Sequence, residues 1–433
     1  MTVNACVSFR ACPKVLRAFF SSIKPLNKIK IPSHTTIQRW MASVGYYKLH
    51  MPLEKADDWI VLVDESIQVG SQKYLVVLGC RAKYLPKGRS LELADLIPLY
   101  AVVLTKSDGK AVKRALDVVT LRVGRIMAIC SDEGSNLKLG YKLYQKEHPH
   151  IQYIPDIVHK LANIIKKQLN NDPDWGELIK LINSTKLKIY NSSLGHLTPP
   201  ALRGKSRFLN LDIVIEWALK VIRLLNEGNA SPEYDSEAVE KNLGWLRQFE
   251  DSIKSYASLL KLVSVARHLV RQRGIHQYIA DDFAMIFEEE SPQEGWDIVT
   301  TRIANQIYEF LDQQGNKVKK DQVLLGSSEA IETFFGKYKS MEGNQTKAGF
   351  SGLVLAGLAH IGPLDQSTVQ AAMETVKNVQ VNDWVKKYVG ITVHAKRCTF
   401  LKKSQKNDDS QFIKNNETGQ ERALSLEGKV MGF

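Results

Sequence analysis

The sequence predicts an α/β fold in which a mixed sheet is flanked by helices, with a large all-α insertion and a basic helical segment at the N terminus. Apolar, β-branched runs are confined to residues 57–155, where three occur in succession and two more alternate with helical patterns. Residues 177–326 are mainly helical in periodicity. A run of antiparallel strands followed by alternating units is typical of a mixed sheet.

The order of the predicted elements follows from these runs and from the turn residues between them. Gly70-Ser71 predicts a hairpin between the first two strands. The predicted elements are, in order, strands at 58–70, 72–82 and 98–105, a helix at 109–121, a strand at 124–134, a helix, a strand at 151–155 and a helix at 157–169.

The helical stretch lies between the sheet and one final helix, so an inserted domain explains it best. After Lys402 the chain has few apolar residues, which predicts disorder. The predicted parts are a basic segment at 1–50, the first part of the core at 57–170, the insertion at 171–326, the last part of the core at 327–400 and a polar tail at 401–433.

Composition excludes several classes of protein. The chain of 433 residues is 44% hydrophobic and 24% charged, as in a globular protein, and it has no apolar run long enough to span a membrane. Its five cysteines are scattered and include no CxxC pair, which favours a reducing compartment such as the cytoplasm and argues against a zinc module. No GxGxxG, P-loop or GxSxG motif is present, so a small-molecule enzyme is not expected.

The positive charge is concentrated at the N terminus. Residues 1–50 have eight basic and no acidic side chains, which accounts for +8 of the net charge of +13. Such a field suits a polyanion, because each neutralised phosphate releases condensed counterions. An organelle transit peptide has a similar composition and is the alternative.

Two amphipathic helices are predicted within this segment, the second capped by Ser33 and ended by Gly45. A basic helical pair with a tight connector is typical of a helix-turn-helix, in which the second helix contacts DNA. A Pro-rich basic loop at 197–207 in the insertion is a second candidate for backbone contacts. The side chains expected to contact DNA are Lys28, Lys30, Thr35, Gln38, Arg39, Arg203, Lys205, Arg207 and Lys339.

Three carboxylates form the candidate catalytic site. Asp64 and Asp132 each end a buried strand, and if those strands are neighbours both side chains emerge at the sheet edge where α/β proteins bind ligands. Glu332, in the first turns of the helix "SSEAIETFFGKYKS", can supply a third ligand. Close carboxylates repel and need a cation, and oxygen ligands select Mg²⁺ or Mn²⁺. Three carboxylates can hold two such ions, which suits phosphoryl transfer.

Neighbouring residues leave alternatives open. Asp156 competes with Asp132, although it opens a helix where capping suffices as its role. Glu329 competes with Glu332 and has a comparable structural role in the first turn. His159 and Asp156 are possible auxiliary residues, and Lys339, seven residues after Glu332, is placed to contact a DNA phosphate.

With these residues the chain resembles the DDE transposases of bacterial insertion sequences, over roughly 57–170 and 327–345. The most specific part is "AIETFFGKYK", and "SDEGSNL" and "DIVHK" resemble the motif of the second Asp and a later Asp/His pair. The spacings are 132 − 64 = 68 and 332 − 132 = 200 residues, and the second is typical of the subgroup with an all-helical insertion before the Glu.

The resemblance implies a ribonuclease H-like core, metal ligation by Asp64, Asp132 and Glu332, and cleavage and strand transfer at transposon ends. It also implies DNA as partner, at least a dimer when ends are bound, and a location at the bacterial nucleoid. The alternatives are another ribonuclease H-like nuclease, such as a resolvase or hybrid hydrolase, and a transposase-derived DNA-binding protein without catalysis.

Overall fold

The computed structural model describes residues 2, 7–23, 28–67, 71–201, 210–227, 236–343 and 349–401. The strands are β1 (Ala56–Ile67), β2 (Lys73–Arg81), β3 (Ile97–Leu104), β4 (Gly124–Ser131) and β5 (Gln152–Pro155). The helices before and between the strands are α1 (Ala11–Ser21), α2 (His34–His50), α3 (Gly109–Val123) and α4 (Ser135–Glu147). After β5 come α5 (Ile157–Asn170), α6 (Pro173–Ile189), α7 (Leu211–Asn226), α8 (Ser236–Leu243), α9 (Glu250–Arg273), α10 (Ile279–Glu289) and α11 (Ile298–Gly315). The last are α12 (Glu329–Gly343), α13 (Leu353–Leu358), α14 (Gln366–Thr375) and α15 (Asn378–Tyr388).

The five strands form one sheet in the order β3-β2-β1-β4-β5. β2 is antiparallel to both β1 and β3, whereas β4 is parallel to both β1 and β5. The parallel pairs follow from the helices α3 and α4, which return the chain to the same end of the sheet. The predicted mixed sheet flanked by helices is therefore confirmed.

The two faces of the sheet have separate cores because side chains alternate along each strand. In β1, Ile60 and Leu62 pack with residues of α2, α5, α12 and α13. Val61 and Val63 pack with residues of α3 and α4 on the other face. Every even-numbered residue of β1 near its carboxyl end therefore faces the layer that contains α12.

The helix-turn-helix predicted in residues 1–50 is not present among the described residues. Twelve residues separate Ser21, at the end of α1, from His34, at the start of α2 (33 − 21 = 12), and part of this connector lies outside the described residues. A helix-turn-helix joins its helices through three or four residues. The N-cap at Ser33 is confirmed, since its side chain accepts a hydrogen bond from Thr36 N at 3.2 Å.

Gly45 does not end α2, so this expectation was wrong. The helix continues to His50, and an added Cβ at Gly45 would lie 1.8 Å from the Leu355 carbonyl oxygen. The glycine therefore permits close packing of α2 on α13. Lys48, 3% exposed, donates to the carbonyl oxygens of Ala359, Ile361 and Gly362 at 3.1, 2.6 and 3.2 Å.

The apolar stripes predicted on the first two helices are only partly buried. On α2, Ile37 and Met41 are buried, but Trp40 is 47% exposed. On α1, Phe19 is 57% exposed. The packing partner of α2 is the C-terminal part of the chain, which sequence periodicity could not identify.

Residues 173–315 contain the helices α6 to α11, and α9 contacts α5, α7, α10 and α11. The stretch predicted to be helical at 348–360 contains the short helix α13, all of whose residues are buried. None of the described helices is long and apolar enough to cross a membrane. The predicted tail, from 402 onward, lies outside the described residues.

Candidate active site at the carboxyl ends of β1 and β4

The register of β1 and β4 brings Asp64 and Asp132 to neighbouring positions. Val63 is paired with Ser131 in this parallel pair, and each aspartate is the next residue of its chain. Adjacent strands lie about 4.8 Å apart, and paired residues of parallel strands point to the same face. Alternation along β1 directs Asp64 to the face on which α12 packs, and Asp132 immediately follows the last residue of β4.

Local hydrogen bonds orient both carboxylates. Asp64 Oδ1 accepts the backbone N–H of Glu65 at 2.7 Å, and Asp132 Oδ1 accepts that of Gly134 at 3.0 Å. Tyr153, from β5, donates its hydroxyl to the Asp132 carbonyl oxygen at 2.9 Å. Both aspartates are half-buried.

Glu65 faces the opposite side of the sheet, as alternation predicts. Its carboxylate accepts from Lys73 Nζ at 2.6 Å and from the Ser107 hydroxyl. Ser107 immediately precedes the N-cap of α3. Glu65 therefore contributes to the α3 layer and not to the candidate site.

Glu332 lies on α12, which contacts β1 directly. The helix is anchored by aromatic side chains: the ring of Tyr74, fully buried in β2, lies 6.1 Å from Phe334, 6.0 Å from Phe335 and 5.6 Å from Tyr338 between centroids. Glu332 Oε1 lies 3.7 Å from His159 Nε2, and both side chains are about one-third exposed, at 32% and 34%. The structure thus brings His159 of α5 and Glu332 together.

Asp156 is 1% exposed and ties α5 to the start of α12. Its Oδ1 caps α5 by accepting the backbone N–H of His159 at 2.9 Å. Its Oδ2 accepts the backbone N–H of Ser328 at 2.6 Å and also the Ser328 hydroxyl. Because α12 begins one residue later, this carboxylate fixes where the helix that carries Glu332 starts. Sequence reasoning missed Ser328, since nothing local indicates a partner 172 residues away.

Glu329 is engaged by two arginines of α9. Its Oε1 lies 2.5 Å from Arg267 Nη2 and its Oε2 lies 3.0 Å from Arg271 Nε. These cations neutralise Glu329 and attach the start of α12 to the helical segment. The arginines carry no motif that would have identified this contact from sequence.

The predicted DNA-contacting side chains are only partly within the described residues. Lys28, Lys30, Thr35, Arg39 and Lys339 are exposed, and Gln38 is half-buried. Arg203, Lys205 and Arg207 lie outside the described residues.

A second acidic group lies on the other face of the sheet. Asp117, Glu147 and His148 have ligand atoms within 4.8 Å of one another, so this group could hold a metal ion. Lys113 Nζ, however, lies 3.0 Å from Asp117 and 2.9 Å from Glu147, and these carboxylates raise the pKa of Lys113. By the same 4.8 Å measure, Asp64, Asp132 and Glu332 are not gathered among the described residues.

A solved transposase structure is similar to this chain at a low level. It is the Drosophila P element transposase strand transfer complex, with 14% identity and a TM-score of 0.40 over 86% of this chain and 93% of that chain. No protein-family model and no curated protein matches the sequence. A TM-score of 0.40 does not establish a shared fold, so function has to be argued from the chain's own residues.

Proposed function

We propose that this protein is a DNA transposase of the DDE type, with a ribonuclease H-like core that cleaves and joins DNA strands at transposon ends. The observation that carries the proposal is the parallel register of β1 and β4. The pairing of these two strands ends at Val63 and Ser131, and the next residues are Asp64 and Asp132, near the helix α12 that carries Glu332. A buried sheet that ends in two adjacent carboxylates is costly unless the carboxylates bind a cation.

The donor set fits Mg²⁺ or Mn²⁺. Asp64, Asp132 and Glu332 offer only oxygen ligands, and all three are partly exposed, so the bound ions would keep water ligands. When bound, two such ions lower the pKa of an attacking water or 3′-hydroxyl and offset charge on the leaving oxygen.

The other residues of the site orient these groups or the substrate. Asp156 acts as a positioning residue, because it holds α12 through Ser328. His159 Nε2 lies 3.7 Å from Glu332 Oε1, where it can help orient that carboxylate or a phosphate group of the substrate. Lys339 is exposed seven residues after Glu332, two helical turns along α12, where it can contact the DNA backbone.

The main test is metal-dependent nicking of a DNA duplex that carries the element ends. Asp64→Asn and Glu332→Gln are expected to abolish scission in Mg²⁺ while leaving DNA binding in EDTA intact. Glu133→Gln is the matched control, because Glu133 adjoins Asp132 but pairs with Lys138 at 3.1 Å on the surface. Nicking retained by Asp64→Asn or Glu332→Gln contradicts the site. Loss of nicking in Glu133→Gln would mean that removal of any nearby negative charge abolishes activity, which also contradicts the specific role of the three carboxylates.

A strand-transfer assay with pre-cut ends separates a transposase from another nuclease of this class. A transposase joins the 3′ ends to a target and is expected to do so as a dimer or larger assembly. A resolvase or hybrid hydrolase gives no joined product, and a DNA-binding derivative gives neither cleavage nor joining.

A further inference from the structure

A basic crevice lies at the end of the sheet opposite the candidate active site. Its volume is 740 Å³, and it is bounded by the segment after β2, by Met127 of β4, by the end of α9 and by residues 319–323. Arg81, the last residue of β2, is paired with Trp59 of β1, five residues before Asp64. At about 3.3 Å per residue, the crevice therefore begins about 16 Å from the acidic edge.

The charge of this crevice is strongly positive. One acidic residue, Asp321, lines it, and the basic residues that line it are Lys83, Lys87, Arg273, Lys319 and Lys320. Arg273 is paired with Asp282 at 2.6 Å, and Lys83 lies 3.6 Å from Glu54. Within the described residues, Lys87, Lys319 and Lys320 are exposed and have no ion pair within 4.0 Å.

The backbone holds two of these lysines in a defined turn. Gln322 N–H donates to the Lys319 carbonyl oxygen at 3.0 Å, and Gln322 Oε1 accepts the backbone N–H of Lys319 at 3.3 Å. Between them Asp321 has a φ of 63°, a left-handed conformation that Asp tolerates better than most residues. The turn therefore presents adjacent cations without further ordering of the chain.

An exposed aromatic ring contacts one of the lysines that line the crevice, Lys83. Tyr84 lies between two residues that line the crevice and is 67% exposed, with Lys83 Nζ 4.8 Å from its ring centroid. Cations that follow a phosphate backbone, together with an exposed ring on which a base can stack, are the combination used to bind single-stranded nucleic acid.

We infer that this crevice binds a single-stranded segment of DNA, with Lys87, Lys319 and Lys320 on phosphates and Tyr84 stacked on a base. The choice of DNA rests on the proposed function, whereas the preference for a single strand rests on the lysines and the tyrosine. The crevice is spatially separate from Asp64, Asp132 and Glu332, so it contributes to strand binding and not to the chemistry.

The test is the salt dependence of binding, measured by fluorescence anisotropy in EDTA with a labelled oligo(dT) of about 20 nucleotides. Replacing Lys87, Lys319 and Lys320 by Gln is expected to lower the magnitude of the slope of log K against log salt by about 2, since each single-strand phosphate contact contributes about 0.7. The matched control replaces three exposed lysines of the α3 and α4 layer, Lys110, Lys142 and Lys146, by Gln and is expected to leave the slope unchanged.

The tyrosine is tested separately. Tyr84→Ala is expected to weaken oligo(dT) binding about tenfold with the salt slope unchanged, because a stacked base is lost and no phosphate contact is. Tyr84→Phe is expected to retain the affinity of the wild type. An equal loss in the crevice and control triple variants overturns the inference, as does an equal loss on duplex and single-stranded DNA.

Binding in EDTA does not depend on the catalytic carboxylates. A chain that binds oligo(dT) through the crevice but never cleaves DNA refutes the proposed function alone. A chain that cleaves DNA with unchanged oligo(dT) affinity in both crevice variants refutes this inference alone.

Discussion

Two groups of acidic side chains lie on opposite faces of the sheet, and they differ in what surrounds them. Asp64 and Asp132 follow the last paired residues of β1 and β4, Val63 and Ser131, and α12, which contacts β1, is anchored by buried aromatic rings. Asp117 lies on α3, Glu147 is the last residue of α4 and His148 follows it, and Lys113 bridges the two carboxylates. Because β4 and β5 are parallel, α4 runs about 20 Å back toward the opposite end of the sheet. Glu147, at the end of α4, therefore lies far along the sheet from Asp132, which precedes this helix.

Under the proposed function, proximity of ligand atoms alone does not identify the metal site. In the second group an ammonium already neutralises the charge that a metal ion would neutralise. In the proposed site, Asp64, Asp132 and Glu332 come from three separate chain segments, and support by rigid elements is what such a site requires.

The largest expected effect compares one aspartate from each group. Asp132→Asn is expected to lower Mg²⁺-dependent DNA nicking by about a thousandfold, because a ligand to the ions is lost. Asp117→Asn is expected to leave the nicking rate unchanged. Nicking rates under single-turnover conditions measure both, and the reverse result would move the active site to the second group.

A smaller effect is expected at Asp156, which positions α12 without facing substrate. Asp156→Asn places an amide N–H₂ or a weaker acceptor against Ser328, so nicking is expected to fall about 10- to 100-fold. Stability is expected to fall by about 2 kcal/mol. Asp108→Asn is the control, because Asp108 also caps a helix, at 2.8 Å from Ala111 N, but has no link to α12. Equal losses of nicking in both variants would mean that Asp156 only caps α5.

The stability of the protein at alkaline pH is expected to depend differently on Lys48, which donates to backbone carbonyls, and on Lys113, which pairs with carboxylates. Burial lowers the pKa of Lys48 to about 8 from its ordinary value of 10.5. The unfolded chain therefore binds more protons between pH 8 and 10.5, and stability rises with pH in this window, by about 2 kcal/mol between pH 7.5 and 9.5.

Lys48→Met removes this contribution. The stability of the wild type relative to that of the variant is therefore expected to rise as pH rises. Urea unfolding at the two pH values measures it. The pKa of Lys113 is raised by its carboxylate partners, so the stability that this lysine contributes is lost only when the pH rises above the ordinary pKa of a lysine. A wild-type chain whose stability relative to Lys48→Met is the same at both pH values contradicts the burial of a charged Lys48.

The smallest effect concerns the second acidic group. Lys113→Met removes the bridging ammonium, so Asp117 and Glu147 are expected to acquire affinity for Mg²⁺. Millimolar Mg²⁺ is then expected to raise the Tm of this variant by more than it raises that of the wild type. Lys138→Met, which breaks the surface pair with Glu133, serves as the control. A Tm that responds equally in wild type would show that Lys113 does not exclude the ion.

Local patterns predicted the sheet well because each strand and helix near it is locally consistent. The α3 and α5 helices were expected at 109–121 and 157–169 and are found at Gly109–Val123 and Ile157–Asn170. Both N-terminal helices are present, but the structure does not show them as a helix-turn-helix, and periodicity could show that a face is apolar but not which partner covers it. Gly45 was predicted to end the helix, whereas the close approach of the Leu355 carbonyl oxygen requires a glycine inside the helix.

The sequence by itself determined the strand and helix order, the alternation that separates Asp64 from Glu65, and the three carboxylates worth considering. Each of these depends on residue types a few positions apart. The tertiary structure decided the parallel register that aligns Asp64 with Asp132, the capture of Glu329 by α9, and the bond from Asp156 to Ser328 across 172 residues. Such pairings arise when distant segments pack on a common core, and no local rule encodes them.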